Sequence, residues 1–279
     1  MHGDLTATDW AAARGEKWRA HLPAMESTLM AIDGPLIAAL ELAAPARIAE
    51  VGCGGGATAI QISHSAPAGS LVHGLDISPQ LVALARGRLR PDERAVTFEV
   101  ADMATAAPKL RYDRLVSRFG VMFFEDPPAA FANLMRWLAP GGRLAFAVWG
   151  APSANPWMTS ARDAVARVVE LPRSDLDAPG PFRYADPASL LAALEQAGGT
   201  GLEVHDWRGE LPIGGALAPA AAARFALASF SSFGELLADA GDDARREAHR
   251  ALTACYARHQ RDGAVRMGAC VHIVTGTRR

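Results

Sequence analysis

Glu50-Val51-Gly52-Cys53-Gly54-Gly55-Gly56 decides the fold. Before it, residues 46–51 read as a short buried strand. After it, residues 57–63 place apolar Ala57, Ile60 and Ile62 among polar positions, as a helix would. The glycines at 52, 54 and 56 allow a sharp turn and let a ligand approach the backbone with no Cβ in the way. The free N–H groups that open the next helix favour a negatively charged ligand group. Three spaced glycines raise the entropic cost of folding and add nothing to a core, so the stretch reads as a cofactor-binding turn.

Downstream, strands and helices alternate. Residues 70–75 read as a second strand ending in Asp76. A helix over 79–89 follows, with Pro79 in its first turn where the missing N–H costs nothing. Residues 94–101, with Val96, Phe98 and Val100 alternating, give a third strand ending in Asp102. A fourth strand spans 112–117, and Phe131, Leu134, Met135 and Leu138 mark an amphipathic helix over 128–138. The turn 138–142 leads into a fifth strand over 143–149. This alternation predicts βαβ units and a parallel sheet. Acids at the ends of consecutive strands stand where open α/β sheets bind ligands.

The rest departs from simple alternation. A Pro/Ser/Asn loop precedes a helix over 157–171, and a Pro/Asp/Gly-rich connection precedes a helix over 186–197. A sixth strand over 200–211, a long helical segment over 218–261 and a final strand over 265–275 complete the chain. Residues 5–44 read as helical, with breaks near Pro23 and Pro35 and apolar points at Trp10, Trp18 and Leu22. The expected organisation is one domain: 1–44 an N-terminal helical lid, 45–150 the cofactor-binding core, and 151–185 and 217–262 helical cap insertions.

At 279 residues and half hydrophobic, the chain can bury a sizeable core. No apolar run approaches the roughly 20 residues needed to cross a bilayer. Met1-His2-Gly3-Asp4 does not open a secretory signal, so a cytoplasmic protein is expected. A net charge of −2 without a basic block argues against nucleic acid as partner. Arg86, Arg88, Arg90 and Arg94 read as a solvated face. Cys53, Cys255 and Cys270 lack metal-ligand or disulfide-framework spacing and read as reduced structural thiols. Only two lysines beside abundant Arg and Ala suggest a GC-rich bacterial genome.

Two cofactor patterns overlap at the turn. Gly52, Gly54 and Ala57 meet the dinucleotide pattern, with Asp76 at a fitting distance for a ribose. Glu50, Gly52, Gly54 and Gly56 meet every fixed position of [D/E]-x-G-x-G-x-G. With Asp76, Asp102 and the 138–142 turn, the chain resembles the class I S-adenosylmethionine-dependent methyltransferases, of the small-molecule UbiE or type-11 kind, strongly over about 46–150. The resemblance implies a three-layer α/β/α Rossmann-like sheet of about seven strands, order 3-2-1-4-5-7-6, with the last strand antiparallel. It implies S-adenosylmethionine as cofactor. Gly52, Gly54 and Gly56 would shape the turn beneath the methionine part, with Cys53 inside it, and Glu50 would orient the turn near the ammonium. Asp76 would accept the ribose hydroxyls beside Ile77. Asp102 would receive the adenine amino group, with Met103 lining the slot, and Ser117 would offer a backbone carbonyl to the ammonium. Three acids suit a cationic methionine half better than a pyrophosphate. An NAD(P)-dependent reductase is the competing class.

The acceptor side is less legible. Ser117-Arg118-Phe119-Gly120 stands where amide or adenine N-methyltransferases carry [N/D]-P-P-[Y/F/W], and Asp126-Pro127-Pro128-Ala129 reads as a helix start. Glu125 and Asp126 form no larger carboxylate group, so no metal dependence is expected. His21 is the candidate general base, and Trp149, Asn155 and Trp157 are candidate acceptor-pocket residues. His205 reads as structural. Trp157, Phe182, Tyr184, Phe225, Phe230 and Phe233 in the caps predict an apolar pocket for a small organic acceptor. The expected reaction is O-methylation of a phenolic or polyketide-type metabolite, with C-methylation of a quinone precursor as the alternative. A homodimer is possible from the sequence.

Overall fold

A computed structural model describes residues 13–91, 93–171, 175, 177–230 and 232–279. The expected segment 5–44 therefore falls partly outside the described residues, Trp10 included. Seven long strands build one sheet: β1 (Arg47–Val51), β2 (Leu71–Asp76), β3 (Val96–Val100), β4 (Tyr112–Arg118), β5 (Leu138–Trp149), β6 (Gly199–Pro212) and β7 (Ala264–Arg278). Their order is 3-2-1-4-5-7-6, and a two-residue strand, Gln260–Arg261, pairs with β7 at its start. Strands β1 to β5 pair in parallel, whereas β7 runs antiparallel to both β5 and β6. This is the order expected from the sequence. The antiparallel seventh strand separates it from the all-parallel dinucleotide sheet.

The central strands are apolar throughout because helices cover both faces. Leu115 and Val116 of β4 and Leu144 to Val148 of β5 are fully buried. Helix α1 (Ala13–Leu29) precedes the sheet, and α2 (Asp33–Ala38) follows it after one 3-10 turn. Pro23 lies inside α1 without ending it. The lost N–H bond is outweighed by Leu22, Met25 and Leu29, which are buried on the inner side. Pro35 sits in the first turn of α2, where its N–H would be unpaired anyway.

Helices α3 (Ala57–Ser65), α4 (Pro79–Arg88) and α5 (Pro127–Trp137) connect the parallel strands. Ser78 caps α4 by accepting from the Leu81 N–H, and Asp126 caps α5 by accepting from the Ala129 N–H. The Asp126-Pro127-Pro128 run is thus a helix start, as read. Strand β5 begins earlier than expected, at Leu138. Its pairing jumps from Tyr112↔Leu138 to Arg114↔Arg143, so Ala139 to Gly142 bulge out, with Gly141 at φ 72°.

Beyond β5, α6 (Pro156–Ala166) stops five residues short of the expected Leu171. Helix α7 (Pro187–Gln196) leads to β6. The expected long helix over 218–261 is three: α8 (Pro219–Ser229), α9 (Phe233–Asp239) and α10 (Asp242–Ala257). The first break falls at Phe230, whose backbone is extended, and the second at Gly241, whose φ of 91° suits glycine. Strand β6 is last in the sheet order, and exposed residues alternate along most of it. No helix among the described residues is long and apolar enough to cross a membrane.

Candidate functional site

A cavity of about 780 Å³ opens at the carboxyl ends of the central strands. Its floor is the glycine turn and the ends of β2 and β4, and α1, α6 and the α8–α9 region overhang it. Gly52, Gly54 and Gly56 hold φ of 70°, 53° and 83°, a region closed to most side chains. The N–H groups of Gly52 and Cys53 both reach the Leu75 carbonyl, which ties the turn to β2.

The glycines serve different ends. Gly52, Gly54 and Gly55 line the cavity, whereas Gly56 does not. A Cβ at Gly56 would lie 2.5 Å from the Phe98 ring and 2.9 Å from the Ala85 Cβ, so this glycine lets α3 pack on the sheet. A Cβ at Gly55 would strike the Leu22 side chain and come within 2.9 Å of Glu26 Oε1. Helix α1 therefore rests directly on the turn. Arg88 reinforces this seat, donating to Glu26 at 2.6 Å and to the Gly55 carbonyl at 2.9 Å. Trp18 lines the cavity from the same helix, and Lys17 pairs with Glu235 of α9 at 3.1 Å across the cap.

Asp76 accepts from Gly54 N–H at 2.8 Å and from Ser78 N–H at 2.9 Å. Burial raises its pKa while these two donors pull it down. Asp102 accepts from Ala104 N–H at 2.9 Å and from the Thr105 hydroxyl at 2.8 Å, which fixes the turn after β3. Ile77 and Met103 stand beside these acids in the wall.

Glu50 is 2% exposed, and its Oε2 has no hydrogen-bond partner. Burial raises its pKa to about 8. The Arg118 charge opposes that rise, and the Asp33 and Asp76 charges add to it. Arg118, at the end of β4, pairs with Asp33 at 3.0 and 3.1 Å, and Thr58 donates to Asp33 at 2.9 Å. The sequence reading missed the Asp33–Arg118 pair, since nothing local marks residues 85 positions apart. A buried carboxylate oxygen without a partner, beside a glycine cradle, fits a ligand that brings a cation or donors. That is the chemistry of the methionine ammonium and ribose of S-adenosylmethionine.

An aromatic wall faces this floor. Phe119 stacks on Trp149 with centroids 4.0 Å apart and planes 6° apart. Trp149 meets Trp157 at 5.1 Å, and Trp157 meets Phe230 edge-on at 4.9 Å. Phe119 holds φ 65°, which a bulky residue adopts only under constraint from its surroundings. Arg162 and Thr159 of α6 add polar atoms to the wall.

Four expected site residues lie elsewhere than the cavity wall. Gly56 is a packing glycine, as above. Ser117 is fully buried, and its hydroxyl donates to the Val51 carbonyl at 2.8 Å. The strand runs on to Arg118, so residues 118–120 reach the cavity instead. Asn155 is also fully buried. Its amide bonds the carbonyls of Gly150, Ala151 and Cys270, and its oxygen accepts from Cys270 N–H. With every polar atom committed to backbone, Asn155 is a clamp. His21 meets Phe225 edge-on at 6.1 Å and is absent from the wall. Burial lowers its pKa, and the Lys17 charge adds to this. Among the described residues, no histidine lines the cavity. His205 is exposed on β6, beside Glu203.

Comparison with known proteins agrees with this geometry. The pattern defining a methyltransferase domain family matches residues 48–142. Trans-aconitate 2-methyltransferase of Methylobacterium nodulans is 38% identical over 138 residues, covering 49% of this chain and 48% of that protein. Demethylmenaquinone methyltransferase of Thermus thermophilus is 37% identical over 102 residues, covering 36% and 46%. The chain thus spans about half the length of these relatives. A solved structure from Anabaena variabilis, described as a putative methyltransferase from an antibiotic biosynthesis pathway, superposes with a TM-score of 0.58 at 17% identity. It covers 89% of this chain and 97% of that one. With the sheet order, the glycine turn and the acids after β2 and β3 already in place, the match shows residues 48–142 to be similar to a methyltransferase domain, in a sheet of the order that the class I S-adenosylmethionine-dependent resemblance implies.

Proposed function

We propose that the protein transfers a methyl group from S-adenosylmethionine to a hydrophobic small molecule, by O-methylation of a phenolic or polyketide-type metabolite. The observation that carries this reading is the continuity of the glycine floor with the aromatic wall of Phe119, Trp149, Trp157 and Phe230 in one cavity. In this reading Gly52, Cys53 and Gly54 cradle the methionine half, Glu50 faces its ammonium, Asp76 takes the ribose hydroxyls, and Asp102 and Met103 border the adenine. When bound, the cofactor supplies an electrophilic methyl group on a sulfonium.

The chain's own part is to hold the acceptor and exclude water. Helix α1, helix α6, residues 178–183 and the α8–α9 region roof the cavity, and the aromatic wall orients a flat acceptor against its floor. Fixing two reactants in reactive geometry can supply roughly 7–11 kcal/mol of a barrier. The described wall holds no histidine but does hold the carboxylates of Glu125, Asp126 and Asp175, so in this reading proton removal falls to one of them or to an acceptor that ionises readily, such as an acidic phenol.

C-methylation of a quinone precursor is the second reading, favoured by the likeness to the demethylmenaquinone enzyme. The deciding experiment offers labelled S-adenosylmethionine and a metabolite extract to the protein and identifies the product by mass spectrometry. Label on a phenolic oxygen supports the first reading, and label on a ring carbon supports the second. Label in tRNA or protein, with a blank small-molecule fraction, overturns both.

A further inference from the structure

A second group of reactive side chains lies on the β6–β7 pair, away from the cavity. His272 is directly opposite Asp206 in the ladder, and Cys270 is opposite Arg208. Side chains two apart on a strand share a face, so Asp206, Cys270 and His272 project together. On β5 the register partner of His272 is Val148, and that of Val271 is Trp149. The group therefore lies on the sheet face opposite Trp149.

Asp206 Oδ1 is 2.6 Å from His272 Nδ1, and Asp206 Oδ2 is 3.9 Å from Cys270 Sγ. One ligand atom from each of the three lies within 4.8 Å of the others. The other ring nitrogen of His272, Nε2, is 3.2 Å from the Ala185 carbonyl. That oxygen can only accept, so Nε2 carries the proton and donates. A histidine whose far nitrogen is fixed on a backbone carbonyl presents its near nitrogen in the orientation a metal requires.

We propose that Asp206, Cys270 and His272 form a binding site for a divalent ion of the zinc class, with a fourth position open to solvent at the sheet edge. Thiolate with imidazole selects zinc-like ions over magnesium or calcium. Ligand bonds of about 2.0–2.3 Å in a tetrahedron set the donor atoms roughly 3.4–3.6 Å apart. The Asp206–His272 separation must then open by somewhat under 1 Å and the thiol must draw in. Asp206 stands exposed on the edge strand and has room for this. Arg208 holds Oδ2 at 2.9 Å, which leaves Oδ1 for the ion. On binding, the thiol proton and any proton on Nδ1 leave to solvent, because both donors ligate deprotonated. Cys270 is fixed by Asn155, which clamps its N–H and carbonyl at 3.1 and 3.2 Å, so the ligand set is held from behind.

The test titrates the full, reduced, tag-free chain with Co²⁺ alone, followed by Zn²⁺ in competition. The expected result is one Co²⁺ per chain with a thiolate-to-cobalt charge-transfer band and the visible bands of a four-coordinate ion, both lost on adding Zn²⁺. Cys255→Ser keeps the band and Cys270→Ser abolishes it. Asp206→Asn and His272→Gln each weaken Co²⁺ binding tenfold or more, with circular dichroism confirming that each variant is folded. Absence of a thiolate band, its survival in Cys270→Ser, or unchanged affinity in both Asp206→Asn and His272→Gln overturns the site.

Discussion

Replacing Glu50 by Gln probes the costliest charge in the cavity. In the unfolded chain this carboxyl ionises near 4.5, whereas burial in the fold raises its pKa to about 8. Between those values the folded chain holds a proton that the unfolded chain has released. Stability conferred by the neutral carboxyl is therefore complete below pH 4.5 and declines as pH rises towards 8. The slope is about 1.4 kcal/mol per pH unit, so the wild type has given up roughly 3 kcal/mol at pH 7 and about 5 kcal/mol above pH 8. Glu50→Gln cannot ionise and lacks this slope. Burying the extra amide N–H₂ subtracts a constant of about 1–3 kcal/mol that does not vary with pH. Urea denaturation of both proteins from pH 5 to 9 should show stability curves that diverge with rising pH, the variant gaining on the wild type. Parallel curves across that range would refute the reasoning. The same substitution should weaken S-adenosylhomocysteine binding by roughly tenfold or more, the loss of a charge-assisted contact, as calorimetry can measure.

The glycines should separate by function: Gly54→Ala meets no atom closer than 3.7 Å, so it should cost only the roughly 1–2 kcal/mol of holding an alanine at φ 53°, but should lose cofactor affinity. Gly56→Ala drives a methyl into Phe98 and should lower stability by about 2–4 kcal/mol from overpacking and backbone strain, visible as a lower urea midpoint. Asp33→Asn leaves the half-buried Arg118 guanidinium without its ion-pair partner and should cost about 3 kcal/mol, read by the same denaturation. His21→Asn should keep turnover within about twofold, because the ring stands outside the wall; a loss of a hundredfold or more, about 2.7 kcal/mol of barrier, would restore it as a base.

What was legible in the sequence was local. The turn, the acid that ends β2, Asp102 two residues beyond the end of β3, and the Pro-led helices each rest on neighbours within a few residues. The strand order followed from the resemblance those motifs carry. What escaped was decided by partners far along the chain. Nothing near Asn155 announces that its amide will clamp Cys270, 115 residues away. Nothing near Ser117 shows that its hydroxyl will turn back to Val51. The 218–261 segment is rich in alanine and masks its breaks, although Gly241 followed by Asp242 and Asp243 was a local signal for the second of them. His21 falls on a helix that does line the cavity, and only the helix's rotation about its axis sets Trp18, Leu22 and Met25 in the wall and His21 outside it.

The long free edge of β6 has a consequence for handling the protein. At 14 residues, with no strand among the described residues on its outer side, it presents a backbone ladder of about 46 Å, a surface on which a neighbouring molecule could add its own strand. Exposed Glu203, His205, Asp206, Arg208 and Glu210 stud that edge, and the register slips between Thr200 and Glu203. Charges and an irregular register are the means by which sheets refuse such additions. Colloidal solubility is therefore written into β6, well apart from the cavity. Substitutions that strip its charges would show themselves as precipitate, and a falling yield from such variants should not be read as damage to the chemistry.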